Sequence, residues 1–395
     1  MRIVQLANAY NPTSGGLRTV VDELGRGYVA AGHERVLVIP GQRHSREDSE
    51  SGLVVTLPSV PVSGGYRMIH RFSRVRDLLE ELQPDSVEVS DKATLAAAGP
   101  WARQRGVGAV LISHERLDAV AAARFPHAWR AGGRALTPAL NRRSRRLATR
   151  FDAVVVASAF AGTEFAGTGG LLWEIPLGVD LDTFRPSCPE TVREPDVPRG
   201  TGEHPWKLVY SGRLSVEKNP IAAIAAVKAL ICDDLAVHLD VYGTGSQRQH
   251  LERIAADLPI TFHGHVGDRV ELAARIAEAD VVIAPGPAET FGLTVLESLA
   301  CGTPVVTADT GGAGELLAAG AGLAAASTGA DMARAVAGIL AWPEAERRAA
   351  ARRRAEQFPW SATIASMLDV HASLAARERS LSRLKRRGLR RRKIS

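Results

Sequence analysis

Short apolar runs recur along the chain, and each is followed by a segment whose apolar residues return every third or fourth position. "RIVQLAN" near the start reads as a buried strand. "AYNPTSGG" after it is rich in turn formers and reads as a loop. "LRTVVDELGRGYVAAGH" then places Leu17, Val20, Val21, Leu24 and Tyr28 on one helical face. "RVLVIPG", "DSVEVSD", "GAVLISH" and "DAVVVAS" are further strands. They are mostly apolar rather than alternating, which fits strands covered on both faces. The expectation is an α/β domain with a mostly parallel sheet between helices.

Residues 185–206 break the pattern, with five prolines and no apolar period, and read as a linker. A second series follows: strand "KLVYSGR", helix "NPIAAIAAVKALI", strand "AVHLDVYGTGS", helix "QRQHLERIAADL", then strands "ITFHGHV", "DVVIAPG" and "PVVTADTGG". The pattern thus predicts an N-terminal domain over 1–184 and a C-terminal domain over 207–360, with a helix over 361–376 and a basic tail over 377–395. A length of 395 residues is enough for two cores.

Charge changes the picture at one end only. The tail holds ten Lys/Arg against one Glu, so the body carries 39 basic against 42 acidic residues and is nearly neutral. So charged and apolar-poor a segment is expected to be disordered when free. Cys188, Cys232 and Cys301 lie far apart, with neither metal spacing nor a disulfide framework, which points to reduced structural thiols and a cytoplasmic protein. No apolar run reaches the roughly 18 residues of a membrane span. The opening strand leaves no room for a signal peptide.

Five short stretches carry candidate chemistry. Glycines Gly15 and Gly16 stand between the first strand and first helix, where a backbone can approach a phosphate at a helix N-terminus; tight-turn glycines would look the same. The stretch is not G-x-G-x-x-G, which argues against a dinucleotide. In "GRLSVEKN", Arg213 and Lys218 follow a strand, where ligands of parallel sheets bind, and two cations there suit a diphosphate; a solvated loop is the alternative. In "ETFGLTVLESLACGTPVV", Glu289 and Glu297 are eight positions apart. The helix is expected to begin near Phe291, leaving the amides of Phe291, Gly292 and Leu293 as unpaired first-turn donors. Acids near helix starts also simply complement the dipole, but Glu297 inside an apolar helix calls for a polar partner. His114 ends a strand in "ISHERLD", and "TGG" at Thr310–Gly312 follows another; either residue set could be structural. All five lie at strand carboxyl ends and both domains contribute, which favours a ligand held in a cleft between them.

Together with "PLGVDLDTFRP", "YGTGS" and "HGHV", these stretches resemble the family 4 retaining glycosyltransferases of the GT-B fold, from residue 1 to about 375. The resemblance implies two Rossmann-like domains facing across a cleft, with the C-terminal helix returning to the first. It implies Glu289 on the donor sugar, Glu297 on the ribose, and the amides of Phe291, Gly292 and Leu293 on sugar and phosphate. Arg213 and Lys218 would stabilise the leaving diphosphate. Gly15 and Gly16 would touch phosphate, His114 the sugar near the reacting carbon, and the Val266 backbone the base. Retained configuration needs no protein general base, and no cofactor or metal is expected, since Arg and Lys carry the charge. The family's usual Pro-Asn-Gly-Val reads Pro176-Leu177-Gly178-Val179 here, and Glu115 follows His114 where Gly or Asp is commoner.

"SGGLRTVVDELG", "VEVSDKATL", "ISHERLD" and "IPLGVDLDTF" are similar to bacterial GDP-mannose-dependent mannosyltransferases acting on phosphatidylinositol mannosides. That subgroup implies GDP-mannose as donor and a glycolipid or glycoside acceptor. It also implies an anionic membrane surface as a further partner, reached from the inner face. Tyr10, Arg67, Arg71 and Arg74 would lie on the acceptor or membrane side, with Arg76, the cluster Arg142, Arg143, Arg145 and Arg146, and the tail. Solvated helix faces would explain the same arginines. The alternative keeps the fold and chemistry with a UDP-sugar and a soluble or natural-product acceptor. A nucleic-acid binder rests on the tail alone, without aromatic interleaving, so no nucleic-acid partner is expected. A sugar-nucleotide epimerase fits the fold but not the Arg213, Lys218 and paired-Glu set.

Overall fold

A computed structural model describes residues 1–10, 15–62, 66–124, 132–187 and 199–392. Ser14 and Cys188 lie outside the described residues, as does half of the expected linker, 188–198. The chain divides into two compact units. The first comprises Met1–His114, Thr137–Pro176 and the chain from Ser361 onward; the second comprises Glu115–Leu136 and Leu177–Trp360. The division therefore falls at 176/177, ahead of the 184/185 boundary expected from sequence. The reason is local: Val179 pairs with Pro359 in a parallel bridge, and Arg352 donates to the carbonyls of Phe184 and Ala300, both at 2.9 Å. At the far end of the linker, Arg199 donates twice to the fully buried Asp280, at 2.6 and 2.8 Å.

Strands of the first unit are β1 (Arg2–Leu6), β2 (Glu34–Gly41), β3 (Ser45–Ser49), β4 (Gly52–Pro58), β5 (Val60–Pro61), β6 (Arg67–Met68), β7 (Ser86–Val89), β8 (Gly108–Ser113), β9 (Ala153–Val156) and β10 (Leu172–Glu174). Eight form one sheet in the order β10-β9-β8-β7-β1-β2-β4-β3. Every ladder is parallel except β3 with β4. β7, β8 and β9 are buried at every residue, as strands between helix layers should be, with Ser86 and Glu88 of β7 the polar exceptions within the apolar pattern of β7 and β9. The polar run "SREDS" gave no strand signal; it forms a charged edge strand, a composition that discourages edge-to-edge pairing. The helix Gly16–Ala30 buries Val20, Val21, Leu24 and Tyr28, as its periodicity predicts.

The second unit contains β11 (Trp206–Ser211), β12 (Val237–Tyr242), β13 (Ile260–Gly264), β14 (Val281–Ala284), β15 (Val305–Ala308) and β16 (Gly322–Ala325). They form a wholly parallel sheet in the order β13-β12-β11-β14-β15-β16. Chain order runs outward in one direction from β11 and in the other from β14. The gap between those two strands is therefore the topological switch point, where ligands of such sheets bind.

A helix over Trp360–Arg392 closes the chain. Its buried His371 is the anchor: Nδ1 lies 2.7 Å from Ser86 Oγ and Nε2 3.3 Å from Glu88 Oε2. Tyr28 and Gln5 also donate to Glu88, at 2.9 and 2.8 Å. Burial alone would raise the Glu88 carboxyl, but hydrogen bonds from His371, Gln5 and Tyr28 hold it below the ordinary range. The expected disordered tail is instead a continuation of this helix as far as Arg392. Arg, Lys and Leu are good helix formers, no proline interrupts, and extending a formed helix needs no new nucleus. Among the described residues, no helix is long and apolar enough to cross a membrane.

Candidate active site

The loops after β11 and β14 meet at the switch point of the second unit. After β11, a 3-10 turn at Val216–Lys218 is followed by Asn219 in the left-handed region (φ 48°), and Pro220 starts the next helix. After β14 comes "PGPAETFG" and then the helix Leu293–Ala300. These two loops bring Lys218 and Glu289, 71 residues apart, into an ion pair. Its side chains are 39% and 24% exposed, so the pair faces solvent and is reachable.

Neighbouring loops fix both partners. Gly312 N–H donates to the Glu289 carbonyl at 2.6 Å. Gly311 has φ 92°, and a Cβ there would stand 2.8 Å from the same carbonyl oxygen, so the glycine is required by close approach. "TGG" thus secures the backbone of Glu289. Asn219 Nδ2 donates to Ser327 O (3.1 Å) and Oγ (2.8 Å), and Ser327 Oγ donates on to Pro285 O. Buried Tyr210 donates to the Arg213 carbonyl at 2.9 Å, and Leu214 N–H donates to Thr244 O in "YGTGS" at 2.9 Å, which positions the loop carrying the exposed Arg213.

The helix start differs from expectation. Gly292 caps it at φ 100°, and Leu293 is its first residue. The first intrahelical bond is Leu296 N–H to Gly292 O at 3.1 Å. The unpaired first-turn donors are therefore Leu293, Thr294 and Val295; Phe291 and Gly292 precede them. Phe291 is buried, edge-on to Phe358 at 6.5 Å between centroids. Glu297, one turn in, is largely buried and meets Arg269 at 3.2 Å. Burial pushes its carboxyl up to about 7, with Arg269 pulling the other way. Arg269 also lies 4.9 Å from the Phe184 ring. It begins the helix after the loop carrying the half-buried Val266.

In the first unit the switch point lies between β1 and β7, and the candidates again cluster there. Gly15 is the N-cap of the helix that begins at Gly16. A Cβ on Gly15 would meet no described heavy atom within 4 Å, so packing does not demand the glycine. Asn8, after β1, donates to Asp91 (3.0 Å) and Thr94 (2.9 Å), after β7. Tyr10 donates to Asp22 at 2.9 Å, and its hydroxyl is raised first by burial and then by that carboxylate. His114, after β8, is half-buried with Nε2 3.1 Å from Ser90 Oγ. Burial lowers it to about 4, so the imidazole is neutral near pH 7. Arg67 is committed inside the fold, its Nε reaching Gly41 O (3.2 Å) and Ser59 Oγ (3.1 Å). Arg71, Arg74 and Arg76 are exposed, and Arg76 pairs with Asp77 at 2.9 Å.

The family described as Glycosyltransferase Family 4 matches residues 14–183, and that described as Glycosyl transferases group 1 matches residues 194–358. A relative from Mycobacterium tuberculosis (strain ATCC 25177 / H37Ra) is 44% identical over 96% of this chain and 98% of its own. The chain belongs to the family 4 glycosyltransferases. That relative is named GDP-mannose-dependent alpha-(1-6)-phosphatidylinositol dimannoside mannosyltransferase. A phosphatidylinositol monomannoside mannosyltransferase of Mycolicibacterium smegmatis is 28% identical over 88% of this chain and 90% of its own. The sucrose-phosphate synthase of Thermosynechococcus elongatus shares the fold, with TM-score 0.76 and 20% identity over 95% of this chain and 99% of that one. Anabaena HepE in complex with UDP does so with TM-score 0.69 and 18% identity over 94% and 100%. The two parallel-sheet units are thus the Rossmann-like pair of a GT-B glycosyltransferase.

Several positioning residues of this glycosyltransferase were not legible in its sequence. Asn219 and Ser327 are 108 residues apart, and neither has a charge or spacing that marks it. Ser90 beside His114 and Tyr210 beneath Arg213 are similar. Arg269 carried a signal of a kind: an acid inside an apolar helix needs a partner, and a nearby arginine is the strongest.

Proposed function

We propose that this glycosyltransferase moves mannose from GDP-mannose, with retained configuration, onto a hydroxyl of a phosphatidylinositol mannoside-type glycolipid. The observation that carries the reading is the 44% identity, over 96% of the chain, to a relative named for that donor and acceptor class. The residues support it. Glu289 would accept from hydroxyls of the donor sugar, and Glu297 from the ribose. Lys218 and Arg213 would hold the diphosphate and stabilise the charge that grows on it as the glycosidic bond breaks, a role that otherwise calls for a metal ion. The first-turn amides at Leu293 add a positive dipole end to the same group. The Val266 backbone would meet the base.

On the first unit, Gly15 and Gly16 would bring backbone to phosphate, and neutral His114 would meet the sugar as a hydrogen-bond partner without adding charge. Tyr10, Arg71 and Arg74 would face the acceptor side. The enzyme would work in the cytoplasm, peripherally on the inner face of an anionic membrane. No cofactor and no metal enter the proposed step, because the leaving phosphate itself takes the acceptor proton.

A thermal-shift panel with GDP-mannose, UDP-glucose and UDP-GlcNAc tests the donor, since a bound donor raises the melting point by mass action. GDP-mannose alone should shift it. A shift with only the UDP-sugars would replace this reading with the UDP-sugar alternative.

A further inference from the structure

We propose that Arg269 is a positioning residue for donor binding: seated between the Phe184 ring and Glu297, it holds Glu297 as an oriented carboxylate that can accept from a hydroxyl of the nucleotide. The inference rests on the reading above that Glu297 meets the ribose. Arg269 itself is given no contact with the donor.

Arg269 is the first residue of the helix Arg269–Glu278, where a cation opposes the dipole. The helix start does not need it, because Asp268 is the cap and accepts from Val270 N–H at 2.8 Å. What holds Arg269 lies outside its own helix. Its guanidinium stands 4.9 Å from the centroid of the fully buried Phe184 ring, and its Nη2 donates to Glu297 Oε1 at 3.2 Å. Phe184 is fixed in turn. Its N–H donates to the Asp180 carbonyl at 2.9 Å, and its own carbonyl accepts from Arg352 at 2.9 Å. Asp180 Oδ1 accepts from Thr183 N–H at 3.0 Å, which closes the turn beneath the ring. A planar guanidinium resting on an immobile ring keeps little freedom, so it fixes the carboxylate it meets. The local rule broken at the helix start is thus answered by a contact of the candidate site.

Other charged groups around Glu297 are committed elsewhere. Arg348 and Arg352, from the helix Glu344–Ala355, pair with Glu344 and Glu356 and donate to the carbonyls of Ala277, Ala279 and Ala300. Glu315, on the 3-10 turn Ala313–Leu316, is exposed. Burial would raise Asp180, but hydrogen bonds from Thr183 and Asp182 and the charge of Arg269 hold it below the ordinary range, so it is a second acid beside the guanidinium. Burial first and then Glu297 push the Cys301 thiol up to about 12, which keeps it neutral. On Glu297 itself burial raises the carboxyl to about 7, and Arg269 opposes that rise. The Glu297 side chain is 13% exposed and therefore reachable. An ionised carboxylate accepts from a hydroxyl more strongly than a protonated one does. Removing Arg269 must then move upward the pH below which the nucleotide is lost.

The test is isothermal titration of GDP into the full chain from pH 6 to 9. Each variant is expressed relative to the parent at the same pH, so that titration of GDP itself cancels. If loss of one neighbouring charge raises Glu297 by about one pH unit, Arg269→Met should bind about ninefold more weakly at pH 6, about threefold more weakly at pH 7.5, and like the parent at pH 9. Arg269→Lys keeps the charge and should follow the parent more closely than Arg269→Met does. Arg275→Gln removes one charge from an exposed position of the same helix and should leave the profile unchanged. In the Glu297→Gln background, Arg269→Met should have no pH-dependent effect. A pH-independent loss overturns the proposal, as does an equal pH-dependent loss in Arg269→Lys, in Arg275→Gln, or in the Glu297→Gln background.

Melting without nucleotide reads the pairing separately. The stability gained by Glu297→Gln should stop growing near pH 7 when Arg269 is present and about one pH unit higher in the Arg269→Met background. No displacement of that window overturns the proposal whatever GDP does. If the window is displaced but GDP affinity is indifferent to Glu297→Gln, the ribose role proposed for Glu297 falls, and the hold of Arg269 on Glu297 stands.

Discussion

Replacing Glu297 with Gln should stabilise the protein at alkaline pH while weakening its use of the donor. The carboxyl is raised from 4.5 to about 7, chiefly by burial. A raised acid disfavours the ionised fold. The penalty is absent below about pH 4.5, grows between 4.5 and 7, and is complete above 7. At about 1.36 kcal/mol per pH unit, it comes to a little over 3 kcal/mol at pH 8. Glutamine keeps the shape and removes the ionisation. Arg269, whose side chain is 39% exposed, remains solvated and stays over Phe184, so little is lost on its side. The variant should therefore melt within about 3 °C of the parent near pH 5 and on the order of 7–13 °C higher at pH 8, if the second unit melts independently. Scanning fluorimetry from pH 5 to 8.5 reads this directly. Isothermal titration with GDP at pH 8 should show weakened binding, because an amide grips ribose hydroxyls less well than a carboxylate. A pH-independent difference in melting, or a variant less stable than the parent at pH 8, refutes the reasoning.

Lys218→Ala removes an ion pair that is partly exposed, so it should change the melting point little, yet lower kcat by about 10² to 10³ if the ammonium stabilises the departing diphosphate. Normal turnover would sink that role. Gly311→Ala places a methyl 2.8 Å from the Glu289 carbonyl oxygen at φ 92°; about 1–3 kcal/mol of stability should be lost, with at least a tenfold fall in transfer. His371→Ala leaves buried Glu88 short of a partner, and urea unfolding should show a loss on the order of 3 kcal/mol, against about 1 for Ser86→Ala. His114 titrates near 4, so the pH–rate profile should show no inflection from it between pH 5.5 and 8, and His114→Ala should leave the profile's shape in that range unchanged.

The strands were legible wherever both faces are buried, because "GAVLIS" and "AVVV" have no polar alternation to confuse them with edge strands. "GLAA" at β16 and "SREDS" at β3 were not, since small or charged residues carry no strand signature. Sequence placed Arg213, Lys218 and Glu289 at strand carboxyl ends but could not say which strands are adjacent. The order β12-β11-β14-β15 makes Lys218 and Glu289 neighbours, and that order depends on pairing between strands separated by two βα units. Two of the residues that hold the loops were invisible for the same reason: Asn219 and Ser327 act through amide, hydroxyl and carbonyl contacts that leave no compositional mark. The helix start was misplaced by two residues because Gly292 looked like a helical residue beside Phe291, whereas its positive φ makes it the cap.

That shift of register bears on how one stretch can grip one donor at two places. A nucleotide sugar is ordered sugar, diphosphate, ribose. With the helix beginning at Leu293, Glu289 lies before the cap, the free amides of Leu293, Thr294 and Val295 form the first turn, and Glu297 stands four residues further. At about 1.5 Å per residue that is roughly 6 Å along the axis, and helical side chains lean toward the N-terminus, so Glu297 tilts back over the first turn. The order of acid, amides and acid then matches the order of the ligand's polar groups. A catalytic acid/base pair would need both carboxylates to flank one reacting bond. Here Glu289 is tied to Lys218, while Glu297 is tied to Arg269 on another loop and sits in the drier environment. Two carboxylates with separate cationic partners and separate burial fit the proposed two binding points on one donor better than an acid/base pair.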